Sequence, residues 1–336
     1  MKLAQILPAC LLVPSVCAQV HMPSFDVMRQ DSVAPLGIPY HDVLEPDDWV
    51  FRFTYRRNTL DGARDSRDDQ SSQDLFGDGY SVAPTEGDES IYDFELLYGL
   101  DERWTLFAEL PIVAREMDFE QSGGGADFSS DAGGLGDLFV GGIWRWRETQ
   151  RTRTNVHVAV GVPTGAFDES DTYAGASGQL LPYPLQPGGG VWAGRLGISH
   201  SELEDTWSWG VGTSGTGLLG KNSDDWGQSR YLRFDAWTAC PLTNNLIGSL
   251  RTQLDSWGDV HGKADELVPT RNPQEDSHRQ GGARVDVFAG IALDLSDTEP
   301  GSNRLSLEIG MPVHEWLDGP ALSREAALLF GWRVRL

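Results

Sequence analysis

Hydrophobic and polar residues alternate along several stretches of the chain. Between residues 49 and 56, aromatic side chains occupy odd positions, whereas Arg52, Thr54 and Arg56 occupy even ones. The same period recurs at 92–98, 284–294, 305–311 and 328–336. Successive side chains of a β-strand point to opposite faces, so this period predicts strands with one apolar and one polar face.

Extending this pattern along the chain predicts twelve strands, each about ten or eleven residues long. A strand that crosses a bilayer at a tilt needs about 9–11 residues. We therefore predict an all-β fold, a transmembrane antiparallel β-barrel of about 12 strands. The predicted strands are 48–58, 90–100, 102–113, 135–147, 153–163, 190–200, 206–216, 229–240, 245–255, 283–295, 303–313 and 325–336.

The predicted links between strands alternate between short and long. Short links fall at residue 101 and at 148–152, 201–205, 241–244 and 296–302. Longer polar links fall at 59–89, 114–134, 164–189, 217–228, 256–282 and 314–324. This alternation is typical of outer-membrane barrels. It predicts a location in the cell outer membrane of a Gram-negative bacterium, with the long loops extracellular and both termini periplasmic.

The twelve tryptophans favour the same interpretation. Six lie near the short-link ends of predicted strands and two near the long-link ends: Trp49, Trp104, Trp144, Trp146, Trp207, Trp209, Trp192 and Trp257. Two aromatic girdles are expected where a barrel meets the two membrane interfaces. The alternative is that these tryptophans pack the core of a soluble β-sandwich.

The chain divides into three predicted parts. Residues 1–18 have the features of a secretory signal peptide: Lys2, an apolar stretch from Leu3 to Val13 and a small-residue cleavage site ending at Ala18. Residues 19–47 contain four prolines and are predicted to be a periplasmic N-terminal leader, with folding back into the barrel mouth as the alternative. Residues 48–336 are the predicted outer-membrane barrel.

Composition excludes two classes of protein. Hydrophobic residues make up 40% of the chain, the mean hydropathy is −0.33, and no apolar run is long enough for a membrane-spanning helix. The net charge of −24 argues against nucleic acid as a partner, because phosphate would be repelled.

An outward apolar face would turn many charged residues into the lumen. The predicted lumen rows are Arg52, Arg56, Asp93, Glu95, Glu109, Asp137, Arg145, Arg195, Arg233, Asp235, Arg251, Asp286, Glu308 and Arg333. Buried charges tend to pair because an unpaired one costs several kcal/mol. The rows are thus either a salt-bridged interior that stiffens the wall or the lining of a pore that selects polar solutes.

Acidic residues are concentrated in two predicted loops. Residues 59–89 and 114–134 together carry a side-chain charge of −11, and Asp65, Asp68, Asp69 and Asp74 are the candidate acidic loop residues. One interpretation is a solvated surface that divalent cations bridge to lipopolysaccharide. Another is that the loops attract cations to a pore mouth or bind Ca²⁺. No EF-hand spacing is present, so no specific metal site and no cofactor is predicted.

No catalytic constellation is evident in the sequence. His200 and Ser201 are the nearest match to the Ser–His pair of outer-membrane phospholipases, but adjacent strand residues point to opposite faces. The seven histidines show no HxH or HExxH spacing for zinc. We therefore predict that the protein is not an enzyme.

Several motifs resemble a known family. Gly134-Leu135-Gly136-Asp137, followed by Gly161-Val162-Pro163-Thr164-Gly165, resembles the outer-membrane "transporter" barrels grouped with the meta-pathway phenol-degradation proteins. A closer match is to a subgroup of these barrels that has no assigned substrate. It rests on Asp61-Gly62, Arg64-Asp65, Val82-Ala83-Pro84-Thr85, Leu181-Pro182-Tyr183-Pro184, Trp207-Ser208-Trp209-Gly210 and Leu317-Asp318-Gly319-Pro320.

The resemblance implies outer-membrane passage of small molecules, including aromatic or hydrophobic ones. Members of the subgroup are often rich in Met and His around the first loop. This chain has acidic residues there instead, namely Glu86, Asp88, Glu89, Asp93 and Glu95, which argues against soft-metal handling.

The sequence supports two candidate functions. The first is an outer-membrane channel or transporter-like barrel for small solutes. The second is a closed structural or surface-binding barrel with cation-binding acidic loops. The expected partners are outer-membrane lipid and lipopolysaccharide, the barrel-assembly machinery, periplasmic chaperones and, at the acidic loops, divalent cations.

Overall fold

The structure is a computed structural model that describes residues 29–296 and 301–336. The predicted signal peptide and the first ten residues of the predicted leader lie outside the described residues. The elements are β1 (Trp49–Ser66), β2 (Asp68–Gln70), α1 (Ser72–Gly77), β3 (Val82–Gly99), β4 (Trp104–Gln121), β5 (Phe128–Leu135), β6 (Leu138–Glu148), β7 (Thr152–Val162), β8 (Ser170–Tyr173), β9 (Ala176–Leu180), β10 (Ala193–Leu203), β11 (Ser208–Leu218), β12 (Trp226–Gly227), β13 (Tyr231–Pro241), β14 (Leu246–Trp257), β15 (His261–Gly262), β16 (Gly282–Asp294) and β17 (Asn303–Arg335).

One antiparallel sheet closes on itself to form the barrel. Its strands follow the order β17-β16-β14-β13-β11-β10-β7-β6-β4-β3-β1, and β17 pairs back with β1. Closure leaves no unpaired sheet edge in this part of the wall, which satisfies the backbone hydrogen bonds of both end strands. The predicted all-β antiparallel barrel is confirmed.

The last strand element contributes two passes of the wall. Residues 304–317 of β17 pair with β16, and residues 317–335 pair with β1. Both pairings are antiparallel, so the chain reverses between them, at Asp318-Gly319-Pro320, where Gly319 has a φ of 107°. Eleven wall strands therefore make twelve passes, in agreement with the predicted number of about 12. The longer link predicted at 314–324 is wrong, because strand pairing continues up to this tight turn.

Three strands on one side of the barrel are longer than predicted. Strands β1, β3 and β4 each contain 18 residues and extend eight residues beyond the predicted ends at 58, 90 and 113. The prediction that 59–89 and 114–134 are loops is therefore wrong over much of their length. On the β4 extension the outer face is polar, with Glu116 and Asp118, and the apolar Met117 and Phe119 face inward, so the apolar outer face that marks the lower part of each strand is absent there.

The other side of the wall is lower. Strands β7, β10, β11 and β13 each have 11 residues. Two long connections rise above them, at 163–192 with the hairpin β8–β9 and at 258–281 with β15. These connections fold over this end of the barrel, which we call the long-loop end. The opposite end, with turns at 100–103, 149–151, 204–207 and 242–245, is the short-turn end.

The wall is apolar outside and polar inside. On β3, Tyr92, Phe94 and Leu96 are exposed, whereas Asp93 and Glu95 between them are partly buried. Other strands around the barrel repeat this arrangement with exposed Leu196, Leu232, Ile291, Ile309 and Met311. Such an apolar exterior is far larger than soluble monomers normally expose to water.

Among the described residues, no helix has the length and apolar character needed to cross a membrane.

Candidate functional site

The described part of the leader, residues 29–48, lies inside the barrel at the short-turn end. Wall residues from separate strands bond to it. Asn155 Nδ2 on β7 donates to His41 O over 2.6 Å, and Leu44 N donates to Thr105 Oγ1 on β4 over 2.8 Å. Gly37 N donates to Glu308 Oε1 on β17 over 3.2 Å. Contacts with strands around the wall fix this segment within the lumen.

Wall arginines satisfy the carbonyl groups of the leader. Arg233 donates to Gly37 O, Arg304 Nη2 to Gln30 O over 2.5 Å, and Arg145 Nη2 to Val43 O over 3.3 Å. The described part of the leader forms no sheet with the barrel and contains Pro35 and Pro39, which have no backbone N–H to donate. Side chains of the wall therefore replace the backbone ladder as hydrogen-bond partners.

Apolar contacts also hold the leader against the wall. Tyr40 and Leu44 pack into a buried cluster with Val50, Leu97, Phe107, Phe139, Ile143, Ala159 and Ala193. Leu36 rests on the wall at Gly331, where a Cβ would lie 2.1 Å from Leu36 Cδ1. Only glycine leaves room for this close approach.

The long-loop end is closed in a different way, by apolar packing that we call the cap. Tyr173, Leu181 and Leu185 of the 163–192 connection pack against Met117 and Phe119 of β4, in a cluster completed by Val82, Ala132 and Leu322. A second cluster joins this connection to the 258–281 connection through Leu180, Tyr183, Trp226, Val260, Ala264 and Leu267. Asn272 Nδ2 donates to Tyr173 OH over 2.6 Å, which links the two connections.

Between the leader and the wall lies a cavity of about 350 Å³. Its wall side is formed by residues of β1, β3, β4, β10, β11, β13 and β17, and its other side by leader residues 33–42. The volume falls within the range of about 300–1,000 Å³ that is usual for small-molecule sites. This cavity is the candidate functional site.

Ion pairs surround the cavity. The pairs are Arg52–Glu95 at 2.9 Å, Arg195–Glu109 at 3.3 Å, Arg233–Asp235 at 2.7 Å, Arg304–Asp294 at 2.6 Å and Arg333–Asp42 at 3.3 Å. Tyr40 OH of the leader donates to Glu109 and accepts from Arg195, so this pair also anchors the leader. Two cavity residues, Arg56 and Asp93, make no ion pair or hydrogen bond within the described part of the chain.

Further charge networks lie beside the cavity. Arg251 bonds to Glu308 at 2.8 Å and to Asp235 at 3.3 Å, and its guanidinium lies 3.8 Å from the ring centre of Phe288. Asp286 pairs with Arg284 at 3.0 Å and with Arg324 at 3.1 Å. These pairs join charged side chains of β13, β14, β16 and β17.

Two of the predicted lumen residues have other roles. Asp137 lies between β5 and β6, and its carboxylate accepts from Gly165 N and Gly189 N at 3.0 Å, which ties down the 163–192 connection. Arg145 lies at the short-turn end, near Glu45 and Glu148 at 3.6 and 3.4 Å. The other predicted residues of the rows line the cavity or join its networks.

Sequence reasoning missed the partners that the leader supplies. Tyr40 and Asp42 enter the lumen from a segment without periodicity, and only its high proline content set it apart. It also missed Glu89 and Arg115, which form a 2.7 Å pair at the upper wall, because both lay near or beyond the predicted strand ends.

The leader carboxylate Asp42 is held in its charged form. Burial alone would raise the pKa of Asp42. The guanidinium groups of Arg333 and Arg52, together with His41, outweigh that effect and hold the pKa well below its usual range. This carboxylate therefore stays negative at any pH at which the barrel would work.

The four predicted acidic residues do not form a loop. Asp65 is the last but one residue of β1 and lies 4.0 Å from Arg279. Asp69 in β2 pairs with Arg64 at 2.7 Å, and Asp68 is exposed beside it. Asp74 closes the capping box of α1, and hydrogen bonds from Ser71 lower the pKa of Asp74. Within the described ranges, no group of His, Cys, Asp or Glu is arranged to hold a metal ion.

His200 and Ser201 are separated as adjacent strand residues must be. His200 Nδ1 lies 2.8 Å from Thr154 Oγ1, and its ring contacts Trp209, whereas Ser201 is buried on the other face of β10. They share no proton path.

Comparisons with known proteins support the architecture. No protein-family model matches the sequence, and a search of curated proteins found no match. Among solved structures, the fold is similar to an outer membrane channel from Pseudomonas putida F1, with a TM-score of 0.61, 14% identity, and coverage of 90% of this chain and 100% of that chain. The likeness supports the fold, a closed antiparallel β-barrel.

Two further structures are less similar. A FadL homologue from Pseudomonas aeruginosa matches with a TM-score of 0.44 and 9% identity over 91% of this chain and 96% of that chain. The toluene transporter TodX from P. putida matches with a TM-score of 0.43 and 10% identity over 89% and 93%.

Proposed function

We propose that this protein is an outer-membrane channel that lets small solutes pass through its lumen. The observation that carries the proposal is the inverted wall: apolar side chains face out, and charged side chains face a cavity of about 350 Å³. An apolar exterior suits lipid, and a polar interior suits water and polar solutes. The channel fold of the P. putida structure supports this choice.

The aromatic residues support the membrane setting. Trp49, Trp104 and Trp207 are exposed at the short-turn end, and Trp192 and Trp316 are exposed towards the long-loop end. Their amphipathic rings suit the two lipid–water interfaces. In the proposed orientation, the short turns and both chain ends are periplasmic, and the cap faces the cell exterior.

Passage through this lumen requires the leader to move. Residues 29–48 occupy the short-turn end. Their contacts with the wall combine hydrogen bonds and ion pairs, which water can replace, with the apolar packing of Tyr40 and Leu44. A channel closed in this way should open only briefly.

The channel is tested by recording currents of the full-length protein in planar lipid bilayers. We expect small, short-lived conductance steps. A matched Asp42→Asn variant should open for longer, because it loses the leader's ion pair with Arg333. Silence from both forms, with a folded and heat-modifiable protein, would instead favour a closed barrel.

The membrane setting is tested by placing a charge on the outer face. Ile291 is 50% exposed among Val287 and Leu293 on β16. Ile291→Arg should destabilise the folded protein in lipid by about 2–4 kcal/mol if the site is near the bilayer midplane. Ala292→Ser, on the inner face of the same strand, is the control and should cost much less. Equal tolerance of both changes in urea unfolding from vesicles would contradict the membrane setting.

A further inference from the structure

Most charged residues that line the cavity form ion pairs, but one arginine and one aspartate do not. Five arginines of the lining are each paired with a carboxylate: Arg52, Arg195, Arg233, Arg304 and Arg333. Arg56 and Asp93 line the same cavity but have no ion pair or hydrogen bond to a described residue. The cavity therefore presents one cation and one anion that bond directly to no described residue, although Arg56 is the opposite charge that acts most strongly on Asp93.

The strand register separates these two groups. Arg56 on β1 lies opposite Ile91 on β3, whereas Asp93 lies opposite Thr54. Arg56 and Asp93 are thus diagonal neighbours on the inner face, about 7–8 Å apart at their backbones. Both are partly buried, and Asp93 Oδ1 is shielded from solvent without a hydrogen-bond partner.

An unmatched buried charge is costly, and proteins normally pair it. Arg56 and Asp93 attract each other without touching, and the other charged residues described around them are already paired. Among the described residues, direct hydrogen bonds to these two groups are therefore left to water or to a solute. Water can serve in the absence of a solute. A solute that carries a carboxylate and an ammonium group would match both positions together, since a guanidinium binds a carboxylate through two parallel hydrogen bonds.

The opposite side of the cavity has another chemistry. The leader contributes Val33, Pro35, Leu36, Ile38 and Pro39, which offer apolar surface. A bound solute would therefore place its charged groups towards β1 and β3 and an apolar body against the leader.

We propose that the cavity is a binding site for zwitterionic solutes of the amino-acid type with an apolar side chain. Arg56 binds the carboxylate, Asp93 binds the ammonium group, and the leader contacts the side chain. This binding proposal rests on the proposed function, because a solute reaches the cavity through the channel. It identifies the class of solute that the channel takes.

The test uses the full-length protein, folded in detergent, and three probes that differ in one charged group. Isothermal titration should show binding of L-phenylalanine. Phenethylamine, which lacks the carboxylate, and 3-phenylpropionate, which lacks the ammonium group, should bind at least about tenfold more weakly because each leaves one buried charge unmatched. Equal binding of all three probes, or no binding of L-phenylalanine, would overturn the proposal.

Single substitutions assign the two roles. Asp93→Asn and Arg56→Gln should each weaken L-phenylalanine binding about tenfold or more. Asp93→Asn should leave the affinity for 3-phenylpropionate unchanged or raise it. Arg56→Gln should leave the affinity for phenethylamine unchanged or raise it. Such crossed preferences are not expected from a purely structural defect. Arg57→Gln is the matched control, since Arg57 is exposed and paired with Asp88 at 3.0 Å on the outer face of β1.

Flux measurements separate this proposal from the channel function. Proteoliposomes are loaded with arabinose, a small neutral sugar, and its release is followed. Selective binding of L-phenylalanine without release of arabinose would support the site and count against the channel. Release of arabinose without selective binding would support the channel and refute the site.

Discussion

The two ends of the barrel are closed by different kinds of interaction. At the short-turn end, the leader is held by arginine side chains, by the Asp42–Arg333 pair and by single hydrogen bonds to the wall. At the long-loop end, the cap is held by clusters of apolar side chains around Leu185 and Trp226. The cap is thus mainly apolar, whereas the leader combines these polar bonds with the apolar packing of Tyr40 and Leu44.

The difference indicates which end can move. Hydrogen bonds and ion pairs can be exchanged for water at small net cost, because both states are hydrogen-bonded. Apolar packing has no such substitute, and opening it exposes surface to water at about 25 cal/mol per Å². We therefore expect the leader, which is held in larger part by polar contacts, to be more mobile than the cap.

The largest effect should come from a cavity in the cap. Leu185 is fully buried, and Leu185→Ala should destabilise the cap by about 2–5 kcal/mol. Hydrogen exchange of peptides covering 173–185 should accelerate, whereas exchange of 30–48 should not change. Leu219→Ala, at a side chain that is 71% exposed, is the matched control. Unchanged exchange in the Leu185 variant would mean that the cap is already open.

A smaller effect is expected from the leader. Asp42→Asn removes the charge that pairs with Arg333 and lies near Arg52, and it should weaken leader docking by about 2 kcal/mol. Exchange of 30–48 should then accelerate while the cap stays protected. Asp48→Asn, which breaks the more exposed pair with Arg335 at 2.6 Å, should have a much weaker effect. Equal acceleration at both ends would refute the separation of the two closures.

Acid should loosen the leader only at low pH. Asp42 has a folded pKa below its unfolded value of about 3.9, so its contribution to docking is fully present above that value. The contribution is lost as the pH falls through the folded pKa. Between pH 7 and about pH 4, exchange of 30–48, corrected for intrinsic rates, should stay constant. The Asp42→Asn variant should lack the acid-dependent step, and loosening of the unmodified leader above pH 5 would show that a group other than Asp42 controls it.

The lower wall could be predicted from sequence because one physical cause acts on it. An apolar exterior forces alternation, so the pattern at 49–56 and 92–98 placed Arg52 and Glu95 on the inner face, where they pair. Above this zone the extensions of β1, β3 and β4 no longer face lipid. On β4, the polar Glu116 and Asp118 alternate with the buried Met117 and Phe119, so the apolar outer face that marks the lower wall is absent there.

The site was less predictable than the wall. Alternation shows that Arg56 and Asp93 face inward, but it cannot show that their neighbours are already paired. That depends on strand register and on Asp42 and Tyr40, which the leader brings from a segment without periodicity. The cap likewise depends on contacts between two connections that are about 100 residues apart in the chain.

The smallest effect concerns the acidic residues at the long-loop end. Replacing Asp65, Asp68, Asp69 and Asp74 by Asn removes four negative charges, yet Asp65 and Asp69 already face Arg279 and Arg64. Their field at the cap is therefore partly cancelled, and we expect the preference of the open channel for cations over anions to fall only about twofold at low salt. The change should fade above about 0.1 M salt, where screening limits such fields to roughly 10 Å. Reversal potentials under a salt gradient measure this preference for cations. Asp74→Asn alone is the control, because the carboxylate of Asp74 caps α1. Anion preference in the unmodified protein would contradict this expectation and assign selectivity to Arg56 and the other arginines of the lumen, which the leader exposes when it moves.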